Sequence, residues 1–198
     1  ASDVYKRQSV VGADMGDKIY VVETISDGSE GFPYDEILSI GVCAVDLDAG
    51  DFESVYDAYI QVEPKYVGKP KLDYAEKQGL EVAQLYNGTP LELVAKDFRA
   101  IVKDKFVTSY DIRQEFTKYL TNDPWDITFE SHIMPSISSR QPISLRCKYP
   151  EEEPEIIRKA YRRMFKNDPA NVGRDRSALA LAQMASQIAI ELRSRGKY

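Results

Sequence analysis

The chain has 198 residues and a mass of 22.5 kDa, enough for one domain with a single hydrophobic core. A hydrophobic content of 43% and a charged content of 29% are those of an ordinary soluble protein, and no run of about 18 apolar residues is present to cross a membrane. The formal net charge of −6 argues against a generic nucleic-acid coat, which carries a basic excess, but leaves room for an enzyme that handles nucleic acid locally.

Residues 1–14 lack a basic-plus-apolar signal pattern, and Met15 leads directly into an apolar run. They read as a leader or artefact, with 15–198 as one domain. Lys18–Glu23 is short and β-branched, a first strand. Ile37–Asp46 is a long apolar run whose Gly41 predicts a bulge or close packing. A turn at 49–52 then precedes a third strand over Glu53–Val62, which predicts an antiparallel meander closed at Pro64. Further on, Thr89 is placed to cap a helix with Pro90 at its first position, and Leu91, Val94, Phe98, Ile101 and Val102 mark its apolar face. The stretch "KFVTSY" reads as a strand and "DIRQEFTKYL" as a helix, so the sheet mixes parallel and antiparallel neighbours. Residues 122–150 show little periodicity.

The C-terminal part is helical. Ile156, Ile157, Ala160, Tyr161, Met164 and Phe165 form one face of a helix over 155–166, and Arg158, Lys159, Arg162, Arg163 and Lys166 the other. The acidic run "EEEPE" reads as neutralising partners for that basic face. A last helix carries a stripe of small and apolar residues from Ala178 to Leu192, able to approach a sheet closely. Cys43 and Cys147 fit a reducing, cytoplasmic setting, with Cys43 a small core residue, and no Cys/His cluster has zinc spacing.

The order of these elements, with "VVETI", "DEILSIGVCAVD", "YIQVEP", "FVTSYDIRQEFTKYL" and "RDRSALALAQMA" at matching intervals, resembles the DEDD 3′–5′ exonucleases of the proofreading and RNase T type. The resemblance spans roughly residues 17–192, loosely between 122 and 170. It implies an α/β, RNase H-like fold with a five-stranded mixed sheet flanked by helices. It also implies two divalent ions, Mg²⁺ or Mn²⁺, held by four carboxylates, with a histidine or tyrosine as general base.

Carried across residue by residue, the first aspartate falls on Val21 and the glutamate on Glu23. The second aspartate falls on Glu115, the base on Arg176 and the last aspartate on Leu181. Asp111, four residues before Glu115 on the same helical face, is the substitute closest to hand. Asp27 is able to fold back from its loop, whereas Asp17 and Asp175 stand at the wrong end or face. His132, the only histidine, lies outside any base motif.

The expected site is thus Glu23, Glu115 and Asp111 for catalysis, with Glu23 and Glu115 as metal ligands. Thr24, Arg158, Arg162, Lys166 and Arg176 are the candidates for nucleic-acid contact. The leading expectation is an exonuclease-fold protein that binds nucleic acid or regulates, its catalysis lost or strongly reduced. An active divergent 3′–5′ exonuclease using Mg²⁺ or Mn²⁺, and a protein-interaction module without nucleic-acid binding, stay open beside it. No membrane and no small-molecule cofactor are expected.

Overall fold

A computed structural model describes residues 18–149, 152–165 and 177–198. The first three strands are β1 (Ile19–Ser26), β2 (Ile37–Asp46) and β3 (Asp51–Tyr59). Three short helices follow, α1 (Pro64–Val67), α2 (Lys69–Gln78) and α3 (Val82–Leu85), before the amphipathic α4 (Leu91–Val102). Next come β4 (Phe106–Thr108), then α5 (Ile112–Glu115) continuing as a π turn over Phe116–Leu120, and β5 (His132–Ile133). The chain ends in α6 (Glu153–Met164) and α7 (Ala178–Ser194).

The strands form one five-stranded sheet in the order β3-β2-β1-β4-β5. β1 pairs antiparallel with β2 and parallel with β4, β2 pairs antiparallel with β3, and β4 pairs parallel with β5. The expected α/β architecture with a mixed five-stranded sheet is therefore what the chain adopts. Alternation along β1 sorts its side chains onto two cores. Val21 and Ile25 join a cluster with α6 and α7, and Val22 joins another with α4, Phe116 and Trp125. In the last helix the stripe residues Ala178, Leu181, Ala182, Ala185, Ile188, Ala189 and Leu192 are all buried. Among the described residues no helix is long and apolar enough to cross a membrane.

Gly41 explains how α7 comes so close. A Cβ built there would lie 2.3 Å from the backbone N and Cα of Leu179, so only glycine admits the first turn of α7 against β2. Close packing, one of the two readings of Gly41, is what the fold uses.

Several local expectations are corrected. The third strand runs Asp51–Tyr59 rather than Glu53–Val62, because the hairpin keeps its pairing to Asp46↔Asp51 around Gly50, which has φ 71°. Thr89 does not cap α4. Its N–H donates to the Tyr59 carbonyl and it bridges Ile60 in parallel, so the helix begins one residue later than the cap rule suggests. The helix read over 111–120 is a single α turn followed by a π turn. Residues 122–150 contribute the short edge strand β5 and two 3₁₀ turns, Ile137–Arg140 and Ile143–Leu145.

The loop between β1 and β2 is fixed to α2. Lys71 Nζ lies 3.3 Å from Asp27 and 3.0 Å from Asp35, both carboxylates buried, and donates to the Tyr34 carbonyl at 2.5 Å. Asp27 therefore does not fold back to supplement the carboxylates of β1; the Lys71 ammonium and the Glu36 N–H hold it.

Candidate functional site

Parallel pairing of β1 with β4 carries Glu23 past the carboxyl end of β4. There its Oε1 accepts a hydrogen bond from the Tyr110 N–H at 2.6 Å. Glu115 ends the single turn of α5 and its Oε2 accepts from the Thr24 hydroxyl at 2.5 Å. The third carboxylate belongs to Glu153, the first residue of α6, whose Oε1 accepts from the Asp111 N–H at 3.0 Å. One oxygen from each of Glu23, Glu115 and Glu153 lies within 4.8 Å of the other two, and all three residues are buried. They open onto a cavity of about 20 Å³, also lined by Ser26, Gln78, Gln114, Tyr119 and Leu181, with room for about one water or one small ion.

The electrostatics are those of like charges removed from water. Burial, and then the neighbouring Glu115, hold the Glu23 carboxyl well above the usual carboxylate range, although the Tyr110 N–H works the other way. Burial pushes Glu115 up to about 8 despite the hydrogen bonds from Thr24. Burial, followed by the charges of Glu23, Glu115 and Asp111, raises Glu153 well above its ordinary value. The ion pairs among the described residues give none of the three a cationic partner. Three such groups need shared protons or a cation.

Of the expected residues, Glu23 and Glu115 are brought close together. Asp111 is fully buried beside them but already committed: it caps α5 through the Arg113 N–H and takes a bidentate contact from the Arg113 guanidinium at 3.0 and 2.6 Å. Thr24 is buried, its hydroxyl positioning Glu115 rather than standing at the surface. Arg158 donates to the carbonyl of Gln78, tying α6 to α2, and Arg162 pairs with Glu155 at 2.6 Å on the exposed face. Lys166 and Arg176, like Asp17, Asp175 and the segment 1–14, lie outside the described residues.

The residue that sequence reasoning passed over is Glu153. A signal for it existed, because Glu153 stands four residues before Ile157 and seven before Ala160, on the backward extension of the apolar stripe of α6.

A two-ion oxygen set does not fit these residues. Val21 and Leu181, where the resemblance implies the first and last aspartates, are apolar, essentially inaccessible and packed in the same core cluster. The remaining donors, all carboxylate oxygens in one small cavity, fit a single hard cation. A histidine base is missing as well. His132 sits exposed on β5, paired with Phe106, which is level with Ile19 at the far end of β1. Tyr119 lines the cavity, but its hydroxyl donates to the Gly28 carbonyl and burial raises its proton affinity further, the wrong direction for a base.

No protein-family profile matches this sequence, and neither does any curated protein. Solved structures do match. A full-length 3′-exonuclease superposes with a TM-score of 0.63 at 12% identity, covering 91% of this chain and 83% of that one. A 3′-exonuclease described in 3′-end specific recognition of a histone mRNA stem-loop gives 0.62 at 13% identity with the same coverage. At such identity the likeness concerns the fold, and the strand order, the mixed sheet and the flanking helices agree with it: the chain is an α/β protein with a 3′-exonuclease-like fold.

Proposed function

We propose that this chain binds nucleic acid through an exonuclease-like fold in which phosphodiester hydrolysis is lost or strongly reduced. One observation carries the reading. Val21 and Leu181, where the DEDD resemblance requires carboxylates, are buried apolar residues of one core cluster, so half of the oxygen set that would clamp two ions is missing. Binding is supported by the fold neighbours and by α6, whose Lys159, Arg162 and Arg163 are exposed along one side. Arg158, Arg162, Lys166 and Arg176 are the proposed phosphate contacts, with Thr24 placing Glu115. The two free, buried cysteines suit a reducing, cytoplasmic setting.

A second reading, a slow and divergent Mg²⁺- or Mn²⁺-dependent 3′–5′ exonuclease, is favoured by the arrival of Glu153 beside Glu23 and Glu115. A divalent ion bound there would polarise a phosphoryl oxygen. The chain's own part in such a site is to hold it: Tyr110 N–H orients Glu23, Thr24 orients Glu115 and Asp111 N–H orients Glu153.

Fluorescence anisotropy with 3′-hydroxyl single-stranded RNA and DNA tests the binding half. The expected result is micromolar affinity at low salt that weakens as salt rises, the mark of phosphate contacts. It should weaken further in an Arg158→Gln/Arg162→Gln variant. Absence of any anisotropy change at low salt would leave a protein-interaction module as the better description.

A further inference from the structure

The cavity shared by Glu23, Glu115 and Glu153 has a fourth polar wall. Gln114, the residue before Glu115 on α5, is 8% exposed and lines the same space, and its buried Oε1 has no hydrogen-bond partner. Buried oxygens of this kind are nearly always partnered in folded proteins. Three of the groups that line the cavity with Gln114 are carboxylates, which when ionised only accept. Lys118, the cation among the lining residues, donates to the Ser29 carbonyl. An electron-pair acceptor placed among the four oxygens would satisfy all of them at once.

We propose that this cavity binds one hard divalent cation through an oxygen each from Glu23, Glu115, Glu153 and Gln114. An all-oxygen set selects Mg²⁺, Mn²⁺ or Ca²⁺ over thiolate- and imidazole-seeking metals. Two ligands of one ion stand no farther apart than twice its bond length, about 4.2 Å for Mg²⁺ and about 5 Å for Ca²⁺. Three oxygens within 4.8 Å of one another lie no more than about 2.8 Å from a common centre, so Ca²⁺ calls for at most a slight contraction and Mg²⁺ for a somewhat larger one. The small free space, about 20 Å³, suits one ion.

Neither Glu153 nor Gln114 is a position that the exonuclease resemblance assigns to metal, so the site belongs to this chain's own arrangement. Its effect is architectural. The four ligands come from β1, α5 and α6, which also meet through the Tyr110 and Asp111 backbone amides, through Thr24 and, for β1 and α6, through a shared core cluster. This inference does not depend on nucleic-acid binding, and its test contains no nucleic acid.

Metal-free full-length chain, titrated with Mn²⁺ while electron paramagnetic resonance reads the free ion, gives the stoichiometry directly. Ca²⁺ and Mg²⁺ serve as competitors. One Mn²⁺ per chain, displaced by Ca²⁺ or Mg²⁺ and accompanied by a rise in thermal midpoint, is the expected result. Glu153→Gln and Gln114→Leu should each weaken binding by at least about tenfold. Glu153→Gln keeps the side-chain shape and removes a buried charge, so its metal-free form should fold and lose only the Mn²⁺-dependent rise; Gln114→Leu gives the same reading independently. Failure to retain Mn²⁺ or Ca²⁺ at about 1 mM, two ions per chain, or unchanged binding in both variants would overturn the proposal.

Discussion

Burial is the first cause of the raised proton affinity of Glu23, Glu115 and Glu153, and it makes the metal-free site a source of instability at neutral pH. For Glu115 the sign follows from linkage. Its ordinary value of 4.5 rises to about 8 in the folded chain, so between those values the folded state holds a proton that the unfolded state has released. Stability is then fully present below about pH 4.5 and is lost as pH rises through about 8. In chelator-treated protein, thermal midpoints measured from pH 8 down to pH 5 should therefore climb. The gain should amount to a few kcal/mol, since each pH unit across that window is worth roughly 1.4 kcal/mol for one proton. Glu115→Gln should flatten part of that slope while keeping an acceptor for the Thr24 hydroxyl. A midpoint that stays level or falls on acidification would contradict the burial account. Glu23 and Glu115 were legible because each sits in a recognisable run of residues. Glu153 was not, because three consecutive acids before a proline look alike in sequence. In the fold Glu152 caps the Lys148 and Tyr149 amides and Glu155 faces Arg162, while Glu153 turns inward. Gln114 carried no signal at all, since a glutamine between an arginine and a glutamate on a short helix is ordinarily solvated.

At the scale of elements, the contact between β2 and the first turn of α7 sets the back wall of the cavity. Leu181 reaches the cavity from that turn, and the approach depends on Gly41 having no side chain. Gly41→Ala would put a methyl 2.3 Å from the Leu179 backbone, which cannot rotate away, so α7 must retreat. Urea denaturation should show a loss of about 1–3 kcal/mol or more; a change within about 0.5 kcal/mol, the range of harmless surface substitutions, would mean that the helix has slack there. The long periodic elements were readable from sequence, α4, α6 and α7 by their apolar stripes and β1 and β2 by their β-branched runs. The helices α1 to α3 were not. They are short, and α2 is held less by an apolar stripe than by Lys71 reaching two buried aspartates, a contact between residues far apart in the chain. The π turn after α5 and the two-residue β5 are likewise products of tertiary packing, too short for periodicity to announce.

At the scale of the whole molecule, an exonuclease-like sheet holds three buried glutamates. Two of the four positions where the DEDD resemblance implies carboxylates belong to the hydrophobic core, and a glutamate from α6 lies beside Glu23 and Glu115. The acidic net charge of −6 sets a limit on nonspecific affinity for nucleic acid, so the proposed binding would rest on local cations such as those of α6. The fold was readable from the order and spacing of its strands and helices, since these follow from apolar packing rather than from which residues line the site. The measurement that tests this account most directly is the release of nucleotides from 3′- and 5′-labelled single-stranded RNA and DNA with Mg²⁺ or Mn²⁺, run beside a Glu23→Ala/Glu115→Ala control. The account predicts no shortening beyond that of the control. Metal-dependent 3′ shortening that disappears in the control would show that three glutamates suffice for hydrolysis, and would contradict it.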